Sequence, residues 1–341
     1  MMKNPFSILA IISFLTYSAT WAQNPTNTGS EKIIFQEKVN FENWPNCVKL
    51  SNGNIELIVT TDIGPRIIRF GFVNGPNIMY VSPTDKGKTG GNDWRLYGGQ
   101  RFWHGPEAAP RSYSPDNSKI KYAWNGTTLK LVQDVEPTTG IVKEMEITLS
   151  ATANEVTVLH RMINKNLWAV ELAPWAIASC AAGGHVIVPQ EPYIDSSQYF
   201  LPARPIVIWY EGLMADPRII WGNKYIQVKH DSVHTGSQKI GLLNKQRWGA
   251  YWNNNNLFIK KFSFDPNAQY TDYGCNNEVY VNGDFIELET LGPFVKIAPQ
   301  DKTEHTEHWL LSRLGETINE DEITIEKVLT PIVKTFLETG K

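Results

Sequence analysis

The pair Asn282-Gly283 lies between two runs of alternating apolar and polar residues, "EVYV" and "DFIELET". This pattern constrains the fold more than any other. Asn-Gly supplies the positive φ that a two-residue turn needs, and period-2 alternation gives each flanking strand one apolar face. The reading therefore predicts a tight hairpin here. Further Asn-Gly pairs at 52, 74 and 125 punctuate the chain in the same way. The run "IELIVTTDIGPRIIRFGFV", residues 55 to 73, is rich in β-branched residues and broken at Gly64-Pro65. "EPTTG" separates "TLKLVQDV" from "IVKEMEITLS", where Met145, Ile147 and Leu149 share one face and Glu144, Glu146 and Thr148 the other. Asn253 to Asn256 read as a loop tip. These signals predict an all-β protein built as one large antiparallel β-sandwich over residues 32–341.

One helix is expected, in "NEDEITIEKVLTPIVKTFLETG". Asn319 can cap it, acids fill its first turn, and Gly340 ends it, with Pro331 bending or splitting it.

The start of the chain reads as an export signal over residues 1–22. Lys3 precedes the apolar run "FSILAIISFL", which is too short to span a bilayer, and "SATWAQ" offers small residues for cleavage after Ala22. Residues 23–31 follow as a flexible polar lead-in. This predicts an exported protein, periplasmic or extracellular, with no membrane association after signal removal. The whole chain carries a net charge of −3, and removing residues 1–22 takes away Lys3 alone, leaving −4. Mild acidity without a basic patch argues against nucleic acid as a partner. Cys47, Cys180 and Cys275 are too few and too scattered for a disulfide scaffold or zinc ribbon. One disulfide with a leftover thiol, or three buried thiols, fit the sequence equally well.

Residues 95 to 107, "RLYGGQRFWHGPE", bring together Arg95, Tyr97, Arg101, Phe102, Trp103, His104 and Glu107 around two glycines, without alternation. A core strand would hide such groups, and an ordinary surface loop would not carry so much aromatic area. The stretch is expected to form one wall of a sugar-sized cleft, with Tyr97 and Trp103 among its rings.

"NGNIELIVTTDIGPRIIRFGFVNGPNIMYV", "FWHGPE" and "FIELETLGPFVKIAPQDKTEHTEHWLL", in that order from about residue 50 to 312, resemble the galactose mutarotase-like (aldose 1-epimerase) superfamily. The likeness is nearest to an exported DUF4380-like branch. It implies a β-supersandwich with a sugar cleft. In that superfamily a Glu takes the anomeric hydroxyl proton while a His protonates the ring oxygen, so that the sugar ring opens and recloses on its other face. Carried over, His104 matches the His of the first His-Gly motif, and Glu289 in "LET" matches the base. Arg101 lies near the position of a substrate-binding Arg. The second family His has no counterpart, because "NKNLWAVELAPWAIAS" holds Trp175 instead.

The residues themselves leave bland readings beside these. Glu287 and Glu289 alternate with Ile286 and Leu288, so both face one side, where they raise each other's pKa or simply line a solvated strand. His104 is either an acid–base group near a glycine-rich backbone or a hydrogen-bonded structural His. Arg66 and Arg101 either grip vicinal hydroxyls or a uronic carboxylate through planar donors or pair with surface acids. Trp103 and Trp175 are the indoles expected to flank a sugar. Glu278 is a cleft acid or a turn stabiliser. In "TEHTEHW" the His305 and Glu307 side chains face one way and Glu304, Thr306 and His308 the other, and His-Glu-x-x-His spacing is missing, so no metal is expected. No phosphate loop, nucleophile elbow or nucleotide fingerprint occurs, so no cofactor is expected. The function that follows is acid–base chemistry on a sugar or oligosaccharide by His104 and Glu289, epimerase-like. Alternatives are a polysaccharide lyase or glycoside hydrolase on the same scaffold, and a non-catalytic glycan-binding protein.

Overall fold

The computed structural model describes residues 32–316, 318 and 320–338. The expected signal and lead-in, Asn319 and Gly340 lie outside the described residues. Two antiparallel sheets of 11 and 10 strands face each other. Among the described residues no helix is long and apolar enough to cross a membrane.

The middle of the larger sheet joins distant parts of the chain. Gly99–Gly105 pairs with Val170–Cys180, which pairs with Ile286–Leu291, then Asn277–Val281 and Gln238–Leu242. Its early strands, Ile34–Phe41 to Arg66–Phe72, run in sequence order to the other edge. In the smaller sheet Asn256–Phe262, Lys302–Arg313, Glu155–Asn164 and Ile141–Leu149 lie side by side. Alternation decides what each strand hides. Met145, Ile147 and Leu149 enter the layer between the sheets, where Phe70, Phe258 and Trp309 pack with ring centroids 5.2–5.5 Å apart. Burying a side chain of that size stabilises the fold by about 1.5–3 kcal/mol.

The one helix among the described residues, Glu322–Glu338, covers the outer face of the smaller sheet. Ile325, Leu329, Val333 and Phe336 recur at helical spacing and pack on Ile187, Trp248, Leu257 and Ile259. Asp321 accepts the Thr324 backbone N–H at 2.8 Å and caps it. The helix is not split at Pro331.

The expected two-residue turn at Asn282-Gly283 is instead a four-residue loop, because Val281 pairs with Ile286. The Asn282 side chain accepts the N–H groups of Asp284 and Phe285, and the Phe285 ring is anchored on Tyr80. That local hydrogen bonding outcompetes the tighter turn. The Asn run does form a short turn, since Asn253 pairs with Asn256. All three cysteines are buried and free.

Candidate functional site

On the larger sheet, odd and even residues of three neighbouring strands part company. Gln100, Phe102 and His104 point into the inter-sheet layer, and Arg101 and Trp103 point out. The partners follow, with Trp103 opposite Trp175, Arg101 opposite Ile177, and Ile177 opposite Glu289. Glu278 lies directly across from Glu289, and Tyr280 from both Glu287 and Lys239. The outer face thus gathers Arg101, Trp103, Trp175, Lys239, Glu287 and Glu289 around a cavity of about 430 Å³. That size falls in the range of small-ligand sites.

Loops complete the wall. Gly98 and Gly99 both have positive φ, and a Cβ at either would strike the carbonyl oxygen of Tyr80 or Ile67. Only glycine permits this turn. It swings Trp94 and Leu96 over the sheet, where they line the cavity. The chain after His104-Gly105-Pro106 folds back to add Glu107 and Tyr113. Trp103 meets Trp94, Tyr113 and Trp175 edge to face at 5.1–5.5 Å.

The floor is ionic. Glu287 accepts from Arg101 Nη1 at 2.6 Å, Arg101 Nη2 at 3.3 Å and the Ser179 hydroxyl at 2.6 Å. Arg101 also lies 4.7 Å over the Trp103 ring. Burial opposes the guanidinium charge, but the Glu287 carboxylate outweighs it and holds the pKa above the ordinary value. Glu289 Oε2 accepts from the Trp175 indole N–H at 2.8 Å and from Lys239 Nζ at 3.3 Å. Among the described residues no donor reaches its Oε1. Burial raises the Glu289 pKa, against the pull of Lys239 and with help from Glu287. Lys239 also sits 2.8 Å from Glu278 Oε2, and 4.4 and 4.7 Å over the Trp175 and Trp209 rings. A Cβ at Gly241 would come within 3.0 Å of the Trp209 ring, so glycine there lets the indole lie on the strand. Burial pushes the Glu278 carboxyl up to about 8, with Lys239 opposing and Glu289 and Asp272 adding. Glu278 is fully buried beneath the cavity and does not line it.

The structure does not bring His104 to Glu289. His104 lies on the far side of the sheet, fully buried, with Nε2 3.4 Å from Glu136 Oε2; Lys143 Nζ is 2.6 Å from the same carboxyl group. Burial lowers its pKa although Glu136 works the other way. The physical reason is strand parity: Arg101 and Trp103 face the cavity, so His104 cannot. Arg66 and Tyr97 are not lining residues either. Arg66 is paired with Asp116 at 2.6 Å and donates to the Gly98 carbonyl, while the Tyr97 ring packs under it and against Trp44. Both hold the loop that carries Trp94. Lys239 went unremarked in the sequence reading. Its signal is a lysine beside Ile240, Gly241 and Leu242 in the short strand "QKIGL".

His305 and Glu307 share the inner face, as their alternation predicts. Glu307 is ion-paired with Lys260 at 2.6 Å and accepts from Thr290 at 2.5 Å, Gln100 at 3.0 Å and Trp309 at 3.1 Å, with His160 3.3 Å away. The carboxylate is saturated and sealed between the sheets.

No family model matches the sequence, and no curated protein does. Solved structures match the fold. A galactose mutarotase-like protein from Lactobacillus casei superposes with a TM-score of 0.52 at 8% identity, over 78% of this chain and 100% of that one. One from Clostridium acetobutylicum gives 0.50 at 10%, over 83% and 99%. A TPR-domain containing protein from Parabacteroides distasonis gives 0.54 at 13%, over 78% of this chain and only 47% of its own length, so the chain spans less than half of that protein. Together these show the galactose mutarotase-like fold expected above. The narrower DUF4380-like likeness finds no matching model.

Proposed function

We propose that this chain, which has the galactose mutarotase-like fold, binds a sugar in the cavity on the outer face of its larger sheet and moves a proton there with Glu289. One observation carries the reading: a buried carboxylate with a raised pKa, both of whose donors among the described residues sit on Oε2, lines a cavity walled by indole rings. A carboxyl group held above its ordinary range exchanges protons near neutral pH more readily than a free one. The epimerase-like step asks Glu289 to take the anomeric hydroxyl proton while a water molecule delivers one to the ring oxygen, and reclosure returns both protons to where they came from. The fixed positive charge of Lys239 beside Glu289 favours the anionic character that develops during this exchange. Trp103 and Trp175 supply apolar surface for the ring's C–H face. The leader-like start of the sequence supports a meeting with the sugar outside the cytoplasm.

A non-catalytic glycan-binding protein is the second reading, favoured by the burial of His104 on the opposite face of the sheet. Polarimetry or exchange NMR on freshly dissolved hexoses separates the two. If the first reading holds, the parent protein speeds anomer exchange and Glu289→Gln slows it by about 100-fold or more. Sugar binding by calorimetry without any rate effect in the parent would leave only the binding role, and no binding to any sugar would end both.

A further inference from the structure

The charges around the cavity are not balanced. Its two cations are already committed, Arg101 to Glu287 and Lys239 to Glu278 and Glu289. Each cation of the floor thus already has an acidic neighbour at 2.6–3.3 Å. At the mouth, Glu211 and Asp284 line the cavity and are exposed, and among the described residues neither forms an ion pair. Among the described residues, Glu107 accepts a hydrogen bond from the Tyr113 hydroxyl and forms no ion pair. Deeper in, Glu289 is 1% exposed and still has an oxygen without a donor. Trp103 and Trp175 already hold the two cations against their rings, which leaves the half-buried Trp94 and Tyr113 as the rings of the wall without one. Ring faces and carboxylates both stabilise an ammonium group and repel an anion.

From this geometry we infer that the cavity selects a sugar bearing a free ammonium group, an unacetylated amino sugar or its oligomers, and rejects uronates and sugar phosphates. The inference rests on the proposed sugar-binding role and narrows it. It removes one part that sequence reasoning allowed Arg101, the capture of a uronic carboxylate, because both Nη atoms are spent on Glu287.

Calorimetric titration of the intact protein with three trisaccharides tests it: the glucosamine trimer, its fully N-acetylated form, and trigalacturonate. The work is done at mildly acidic pH, where the amines are charged. At low ionic strength the glucosamine trimer should bind on the order of tenfold tighter than the acetylated one, and added salt should erode that ratio. Trigalacturonate should not bind. In the double variant Glu211→Gln, Asp284→Asn the ratio should fall toward one. Equal affinity for the cationic and neutral trimers, or tighter binding of trigalacturonate, overturns the inference and leaves the sugar-binding role standing. Binding of none of the three, or of any hexose, overturns both.

Discussion

Two groups of buried charges lie on opposite faces of the same sheet and have opposite designs. Between the sheets, Glu307 is surrounded by Lys260, Thr290, Gln100, Trp309 and His160, and every neighbour is packed. On the outer face, Lys239 is shared between Glu278 and Glu289, and Glu289 keeps one oxygen open to a cavity. Both groups bear the cost of removing charges from water. Only in the inner one are both oxygens of the carboxylate hydrogen-bonded. The outer one leaves two carboxyl groups with raised pKa values, which is how sites of proton transfer differ from structural ion pairs. The strands Gly99–Gly105 and Ile286–Leu291 serve both, contributing Gln100 and Thr290 inward and Arg101 and Glu289 outward.

The largest expected effect comes from breaking the sealed group. Glu307→Ala strands the Lys260 ammonium with only the Leu288 carbonyl at 3.1 Å and Gln100 at 3.5 Å. Removing one partner of a buried pair costs about 3–5 kcal/mol, and replacing both with apolar residues recovers most of it. Urea unfolding should therefore show Glu307→Ala strongly destabilised and the double variant Lys260→Met, Glu307→Leu largely restored. A loss below about 1 kcal/mol for the single variant would erase the distinction between the groups.

The two groups should also push stability in opposite directions as pH changes. Glu278 binds its proton up to about 8 in the folded protein against an ordinary value of 4.5, so its contribution is complete below 4.5 and is lost as pH rises toward 8. His305 is held down to about 3, by burial first, against an ordinary 6.5, so its contribution is complete above 6.5 and is lost as pH falls toward 3. A separation of one pH unit between folded and unfolded values corresponds to about 1.4 kcal/mol. Chemical denaturation across the pH range should show Glu278→Gln flattening the alkaline decline and His305→Asn flattening the acid one. An alkaline decline that survives in Glu278→Gln would mean that the outer charges carry no such penalty.

The same comparison explains what the sequence disclosed. Met145, Ile147 and Leu149, or Glu287 and Glu289, sit in strands where one residue type repeats at every second position, so their shared face can be read directly. The strand "GQRFWHG" carries polar and aromatic residues on both faces, because one serves the sealed group and the other the cavity. Parity there is invisible without the partner strands, and His104 was therefore placed with Glu289. Arg66 and Tyr97 were drawn into the cleft by nearness in sequence, while folding puts them behind the loop they support. Lys239 becomes legible only once pairing places it two residues along from the position facing Glu278.

The smallest effect is the most specific to the outer group. The Trp175 indole N–H donates to Glu289 at 2.8 Å, and nothing comparable touches its other oxygen. A hydrogen bond to the ionised form favours that form, so Trp175→Phe removes a bond that holds the Glu289 pKa down. The net value of one such bond is about 0.5–1.5 kcal/mol, so the pKa should rise further. If Glu289 acts as a base, the rate depends on its carboxylate and climbs with pH through that value. The acid limb of the rate profile in Trp175→Phe should then move to higher pH, whatever the height of its plateau. His104→Asn, on the other face, should leave the limb where it is. A limb that moves in His104→Asn and stays fixed in Trp175→Phe would transfer the proton chemistry to the inner layer, against the geometry of both groups.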